Sequence, residues 1–290
     1  MFELSGVIIM IQRSFGDGVL VSVVGVGCGR VGSVSNPVSM REIEATLEAA
    51  VQSGVNLFDT ADIYGQGDSE RTLSRLLRRH RDRVFVVTKI GGRHAPYAGL
   101  SRLAKPLLRV LARSRPKLRN AVIATRSTTV VHVFSPPNLL RAAEASRRRL
   151  GLDQLPGVLL HDPSTETLRK PEIHDFLGEL LRSGKAARVG ASVNSIAAVE
   201  AAMSIPAVTM IQAPLGVADA LPGTAILEEI RQRNVGLFVR GVIRNPDRGI
   251  YEERSLRESL SAAIAPDFVT AAIIGVSTRQ HLNELLSSIA

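Results

Sequence analysis

Tryptophan is missing from this 290-residue chain, and aromatic residues make up only 4% of it. A single-strand nucleic-acid binder needs rings on which bases stack, so nucleic-acid binding is set aside as the primary role, despite a net charge of +9. Cysteine occurs once, at Cys28. That excludes an internal disulfide, and with no CxxC or clustered His/Cys ligands it argues against a structural metal. No apolar run approaches the roughly 18 residues needed to span a bilayer. The amino terminus carries Glu3 and a short apolar run, 7–11, without a basic leader or a small-residue cleavage site. The expectation is a cytoplasmic protein with no membrane span, no metal and no nucleic-acid partner. Acidic residues are also missing from Arg83 to Arg141, where much of the cationic excess lies. A solvated cationic surface, or attraction toward a phosphorylated cofactor or substrate, accounts for it.

Short apolar runs alternate with amphipathic segments along the chain. Strands are expected at 19–27, 55–59, 84–89, 157–161, 187–192, 208–212, 236–240 and 271–275. Helices are expected at 39–53, 69–80, 137–150, 171–183, 195–203, 223–234, 256–265 and 279–289. Ser39 is placed to cap the first helix and Gly54 to stop it. The strand runs are continuously apolar, as a sheet covered on both faces requires. Eight such units in strict alternation, in one domain over 1–290, predict an α/β fold: a (β/α)8 TIM barrel. Residues 8–11 and 19–21, joined through Gly16-Asp17-Gly18, are expected to form an N-terminal β-hairpin on the barrel floor. A long insertion, about 91–131, follows the third strand. Within it Leu100, Leu103, Leu107 and Leu111 recur at helical spacing among Arg102, Lys105, Arg109 and Arg113, with Pro106 interrupting. A lid over the barrel mouth is favoured there over a membrane-surface helix.

Chemistry concentrates at strand ends. The run GVNLFDTADIYG (54–65) ends a strand with the carboxylate of Asp59 and sets the phenol of Tyr64 in a glycine-bounded loop. The next strand ends with Lys89, and LLHDP (159–163) ends another with His161. A phenol is a poor acid near neutrality unless a cation stabilises its phenolate, and a lysine beside an aspartate supplies one. Each residue alone has a plain structural explanation: a loop cap, a surface lysine, a packed turn, a hydrogen-bonded rim histidine. Four together on the rim where barrel enzymes carry catalytic groups point to an enzyme.

GVNLFDTADIYGQGDSE, then VVTK, then LLHDP, resembles the aldo-keto reductase superfamily. Weaker likeness extends over 13–32, 142–161, the Gly184-Lys185 turn with Ser192-Val193-Asn194, and Ile274-Gly275-Val276-Ser277. The resemblance implies hydride transfer between NAD(P)H and a carbonyl. Tyr64 would be the general acid, Lys89 would make the phenol a stronger acid, Asp59 would orient Lys89, and His161 would hydrogen-bond the substrate oxygen. Ser192, Asn194 and Gln212 would hold the nicotinamide carboxamide. Gly275 and Ser277 would face the adenosine phosphate. Arg240, Arg244 and Arg279 lie near the expected phosphate side, which favours NADP over NAD. The chain departs from the family at Leu215, where a stacking tyrosine is common, and at Leu285, where an asparagine is common near the adenine. Residues 240–251 also lack the usual Ser-Pro-Leu pattern.

Three rivals are weighed against this reading. Gly27-Cys28-Gly29-Arg30-Val31-Gly32 satisfies a dinucleotide-binding glycine fingerprint, but Asn36-Pro37 breaks the helix that should open on it. A non-catalytic NADP-binding barrel has no need of Lys89 and His161 together. A sugar dehydrogenase would run the same site in the oxidative direction. The expected partner is thus a small carbonyl or sugar.

Overall fold

The computed structural model describes residues 10–33, 36, 38–94, 130–242 and 255–289. Its centre is a closed eight-stranded barrel. The barrel strands are β3 (Val24–Gly27), β4 (Leu57–Asp59), β5 (Phe85–Ile90), β8 (Gly157–His161), β9 (Val189–Ser192), β10 (Val208–Pro214), β11 (Gly236–Arg240) and β12 (Ala271–Gly275). Every neighbouring pair is parallel, and β12 closes on β3 through Ala272 opposite Val24. Helices α1 (Met40–Gln52), α2 (Asp68–His80), α3 (Pro136–Leu150), α5 (Pro171–Arg182), α6 (Ile196–Met203), α8 (Ala225–Gln232), α9 (Leu256–Ile264) and α10 (Arg279–Ile289) surround it, and short helices α4 (Thr165–Leu168) and α7 (Leu215–Ala218) follow β8 and β10. This is the (β/α)8 TIM barrel expected from the alternation.

Local sequence accounts for the element ends. Ser39 caps α1, its hydroxyl accepting from the Glu42 amide at 3.2 Å, and Gly54 beyond the last turn takes φ +86°. Ser195, Thr224 and Ser255 cap α6, α8 and α9 in the same way, the last with Glu258 completing a capping box.

The two-residue period of the strands sorts side chains between two apolar layers. Val26, Phe58, Val86, Val158 and Leu160 face the helices. Leu57, Val87, Leu159, Met210, Phe238 and Ile273 fill the barrel interior. Counting on by two from this inner layer reaches Asp59, Lys89, His161, Gln212 and Arg240. The core pattern therefore aims these groups into the barrel at its carboxyl-end rim.

The amino-terminal hairpin differs in register from the expectation. Its strands are β1 (Gln12–Phe15) and β2 (Val19–Ser22), with Phe15 opposite Val19, so the first strand begins after Ile11; residues 8 and 9 of the expected strand lie outside the described residues. The three-residue turn, with Gly16 at φ +60° and Gly18 at φ +89°, suits that close pairing. The run 19–27 correspondingly breaks at Val23, whose amide bonds the Ile11 carbonyl, and only β3 joins the barrel. The hairpin is the barrel floor. Phe15 is 1% exposed and stands edge-on to Phe85 and Phe238 at 5.8 and 5.3 Å. Gly236 has no room for a Cβ, which would lie 2.6 Å from the Phe15 ring.

The insertion is also corrected at its ends. Residues 92–94 and 130–132 are not loop but an antiparallel pair, β6 (Gly92–His94) with β7 (Val130–His132). The backbone bond from Val133 to the Gly91 carbonyl, 2.8 Å, anchors this ladder to the end of β5. The basic segment 100–113 and Arg244 lie outside the described residues. No helix among the described residues is long and apolar enough to cross a membrane.

Candidate active site

Asp59, the last residue of β4, and Lys89, near the end of β5, meet inside the rim. The Lys89 ammonium donates to both carboxylate oxygens, at 2.7 and 2.6 Å, and to the Thr60 carbonyl at 3.2 Å. Lys89 is 2% exposed and Asp59 5%. Burial pulls the ammonium down, but the charge of Asp59, that of Tyr64 and their hydrogen bonds outweigh it, so Lys89 stands above the ordinary lysine value. It stays protonated across the physiological range.

Tyr64 opens the short turn after β4. Lys89 Nζ lies 5.1 Å from its ring centroid. The turn is tight: Gly65, Gln66 and Gly67 take φ of 57°, 59° and 83°. A Cβ on Gly65 would meet the backbone of Gly32 at 2.9 Å, so only glycine fits there. The glycines of the rival fingerprint thus have another task. Gly29 lies beside the Tyr64 ring, and Gly32, at φ +72°, packs so closely on Asp68 that there is no room for a Cβ. The Cys28 amide bonds the Asp59 carbonyl, and burial, with the Asp59 charge, raises the thiol well above its ordinary range. Cys28 is a core residue, not a nucleophile.

His161 ends β8, with its ring edge-on to Tyr64 at 5.8 Å between centroids. Burial, the Lys89 charge, His132 and Arg240 together lower it to about 3. The imidazole is therefore neutral at physiological pH. Its Nδ1 is enclosed and has no hydrogen-bond partner among the described residues. A buried orphan at a rim is satisfied when a ligand brings the missing partner.

Across the barrel, Ser192 ends β9 and donates to Gln212 Oε1 at 2.9 Å; Gln212 Nε2 donates to Asp59 Oδ1 at 2.9 Å. Asn194 donates to Asp162 and accepts from Arg240, which also bonds the Val193 carbonyl at 3.1 Å. A side-chain amide has two N–H donors and two carbonyl lone pairs. These bonds leave Gln212 and Asn194 one of each, enough for a carboxamide ligand. Gly275 is exposed with open space where a Cβ would be, and Thr278 caps α10 by accepting from the His281 amide at 3.1 Å. Ser277 and Arg279 flank that helix start, which suits a phosphate. The residues present fit a dinucleotide. Leu215 and Leu285, the family departures, pack against or within the core.

Sequence reasoning missed several groups. His132 on β7 lies 6.1 Å from His161 and stacks parallel to Phe134 at 6.0 Å. Gly91, at φ +106°, seats the Phe134 ring; a Cβ there would clash at 2.5 Å. Behind the rim, buried Glu70 accepts from Thr88 at 2.7 Å and pairs with Arg149 at 2.5 Å. Asp62 shares this surrounding, and its buried Oδ1 has no hydrogen-bond partner among the described residues. Glu70, in the first turn of its helix, and Asp62 both lie inside the family motif, the one signal that could have found them. The described residues contain no group of three or more potential metal ligands.

The rim geometry and the fold agree with the family comparison: the aldo/keto reductase family model matches residues 23–290. The chain belongs to the aldo/keto reductase family. It is similar to pyridoxal 4-dehydrogenase of Microbacterium luteolum, 28% identical over 60% of this chain and 48% of that protein. It also resembles D-threo-aldose 1-dehydrogenase of a Pseudomonas species, 30% identical over 52% of this chain and 43% of that one. The chain spans about half the length of these two relatives. Among solved structures, an aldo/keto reductase from Klebsiella pneumoniae in complex with NADP and acetate superposes with a TM-score of 0.66, 18% identical, covering 97% of this chain and 90% of that one. That likeness concerns the fold.

Proposed function

We propose that this protein is an NADP(H)-dependent oxidoreductase that reduces an aldehyde or ketone to an alcohol, with Tyr64 as proton donor and 1–290 acting as one barrel domain. The observation that carries this reading is the buried Lys89–Asp59 pair beneath the Tyr64 ring, with a neutral imidazole beside it. A buried charge pair is costly to keep unless the protein uses it. Here the ammonium faces a phenol at a rim built for ligands.

When bound, the reduced dinucleotide supplies the hydride. Tyr64 gives its proton to the carbonyl oxygen as negative charge develops there, and Lys89 stabilises the phenolate left behind. Positioned proton transfer of this kind contributes roughly 10²–10⁴-fold in rate. Neutral His161 carries one ring N–H and is cast as its donor to the same oxygen, which stabilises the developing alkoxide. Asp59 holds Lys89 in place. Ser192, Asn194 and Gln212 would hold the nicotinamide carboxamide. Arg240, Gly275, Ser277 and Arg279 would take the phosphate-bearing half. Arg240 and Arg279 on that half favour NADP over NAD.

NADPH consumption across a panel of aldehydes and ketones tests the reading; quenching of NADPH fluorescence without any oxidation would leave a non-catalytic binder instead. The similarity to two dehydrogenases, one acting on an aldose, favours a second direction for the same site. Initial rates for aldose with NAD(P)+ against aldehyde with NADPH separate the two.

A further inference from the structure

Gln212 stands in the cofactor reading as a carboxamide holder, yet it also donates to the carboxylate that holds Lys89. The chain Ser192–Gln212–Asp59–Lys89 runs across the rim through bonds of 2.9, 2.9 and 2.6 to 2.7 Å. All four members are at most 5% exposed. Water does not screen these contacts, and a change at one end is felt at the other. We propose that Gln212 is a positioning residue for proton transfer: by donating to Asp59, it sets how much of the Lys89 charge reaches Tyr64. This rests on Tyr64 being the proton donor.

The direction follows from charge. An N–H bonded to Asp59 Oδ1 offsets part of the carboxylate's negative field. Less of the ammonium charge is then cancelled at the phenol, and the phenolate is easier to form. Removing that N–H returns the full carboxylate field and makes the phenolate harder to form. Other charged or titratable groups around this cluster are Cys28 just after β3, His161 on β8, His132 on β7, Arg240 on β11, and Asp62 and Glu70 on the loop and helix of Tyr64. None of them bonds Gln212 among the interactions described, so they are common to the variants compared.

The chain suits a direct optical test, because Tyr64 is one of three tyrosines and there is no tryptophan. The near-ultraviolet rise on phenolate formation, followed against pH without cofactor, minus the same curve for Tyr64→Phe, isolates the Tyr64 transition. Gln212→Met keeps the size and loses the N–H. It should move that transition up by roughly half to one pH unit, a fraction of what a hydrogen bond to a charged group is worth. Gln212→Glu adds a second carboxylate and should move it further up. Far-ultraviolet circular dichroism over the same range establishes that each variant remains folded. If Gln212→Met is folded and its transition overlies the wild-type curve, the proposal is overturned. If Gln212→Met does not fold, an unmoved transition in Gln212→Glu overturns it equally. A moved transition in a protein that reduces no carbonyl supports the Gln212 link and refutes the proposed activity, so the two failures are distinct.

Discussion

The Tyr64 ring meets the His161 imidazole edge-on, with planes 87° apart. Tyr64 comes from the turn after β4 and His161 from the end of β8. Tyr64→Phe keeps this packing and removes only the hydroxyl. It should lower kcat by about 10²–10⁴-fold while NADPH affinity, read by fluorescence titration, stays within about twofold. A loss of only a few-fold in kcat would remove Tyr64 as the proton donor.

Asp59→Asn leaves the Lys89 ammonium buried without its counter-charge. Breaking a buried pair in this way costs about 3–5 kcal/mol, to be read as a drop in urea-unfolding free energy. Combining it with Lys89→Met should recover part of the loss, since no lone charge then remains. The pH profile of kcat/KM should also move in Asp59→Asn; an unchanged profile would dismiss Asp59 as the partner that governs Lys89 in catalysis.

His161 should not titrate near neutrality. Burial and the Lys89 charge hold it at about 3, against roughly 6.5 in an unfolded chain. Between those values the unfolded state binds a proton that the folded state refuses. Stability is therefore full above about 6.5 and falls as pH drops toward 3. His161→Gln should be less acid-sensitive over that window in parallel urea titrations. Matching slopes for the two proteins would contradict it.

Asp62 works in the opposite sense. Burial first, and the Glu70 charge second, push it up to about 8, opposed by Arg149 and two backbone amides. The unfolded value is roughly 3.9. Between them the folded state keeps a proton the unfolded chain has released, so its contribution declines as pH rises from about 4 to about 8. Asp62→Asn should be more stable than wild type at pH 8 and indistinguishable at pH 4. Equal stability at both values would show that Asp62 is solvated after all.

Phe15→Ala tests the floor without touching the rim. The ring sits against Phe85, Phe238 and the Arg188 guanidinium, 5.7 Å away, at the opposite end of the barrel from Tyr64. A cavity of that size costs about 3–5 kcal/mol. KM should not change; a large KM effect would mean that the floor transmits strain to the site.

Much of this protein was determined by its sequence alone. Continuously apolar runs ended in Asp59, Lys89 and His161, and the two-residue alternation of a strand suffices to aim all three into the barrel once the inner layer is known. The bounds of β8, β11 and β12, and the cap at Ser39, follow from residues within a few positions of one another. The hairpin register needed the turn geometry of Gly16 and Gly18, which periodicity does not express. The bond from Gln212 to Asp59 joins residues 153 positions apart on strands that are not neighbours. His132 reaches His161 only because β6 and β7 fold the root of the insertion back over the mouth. Such contacts depend on how the sheet closes and which strands then face each other across it. That closure is a property of the whole ring of strands, and no local run of residues encodes it.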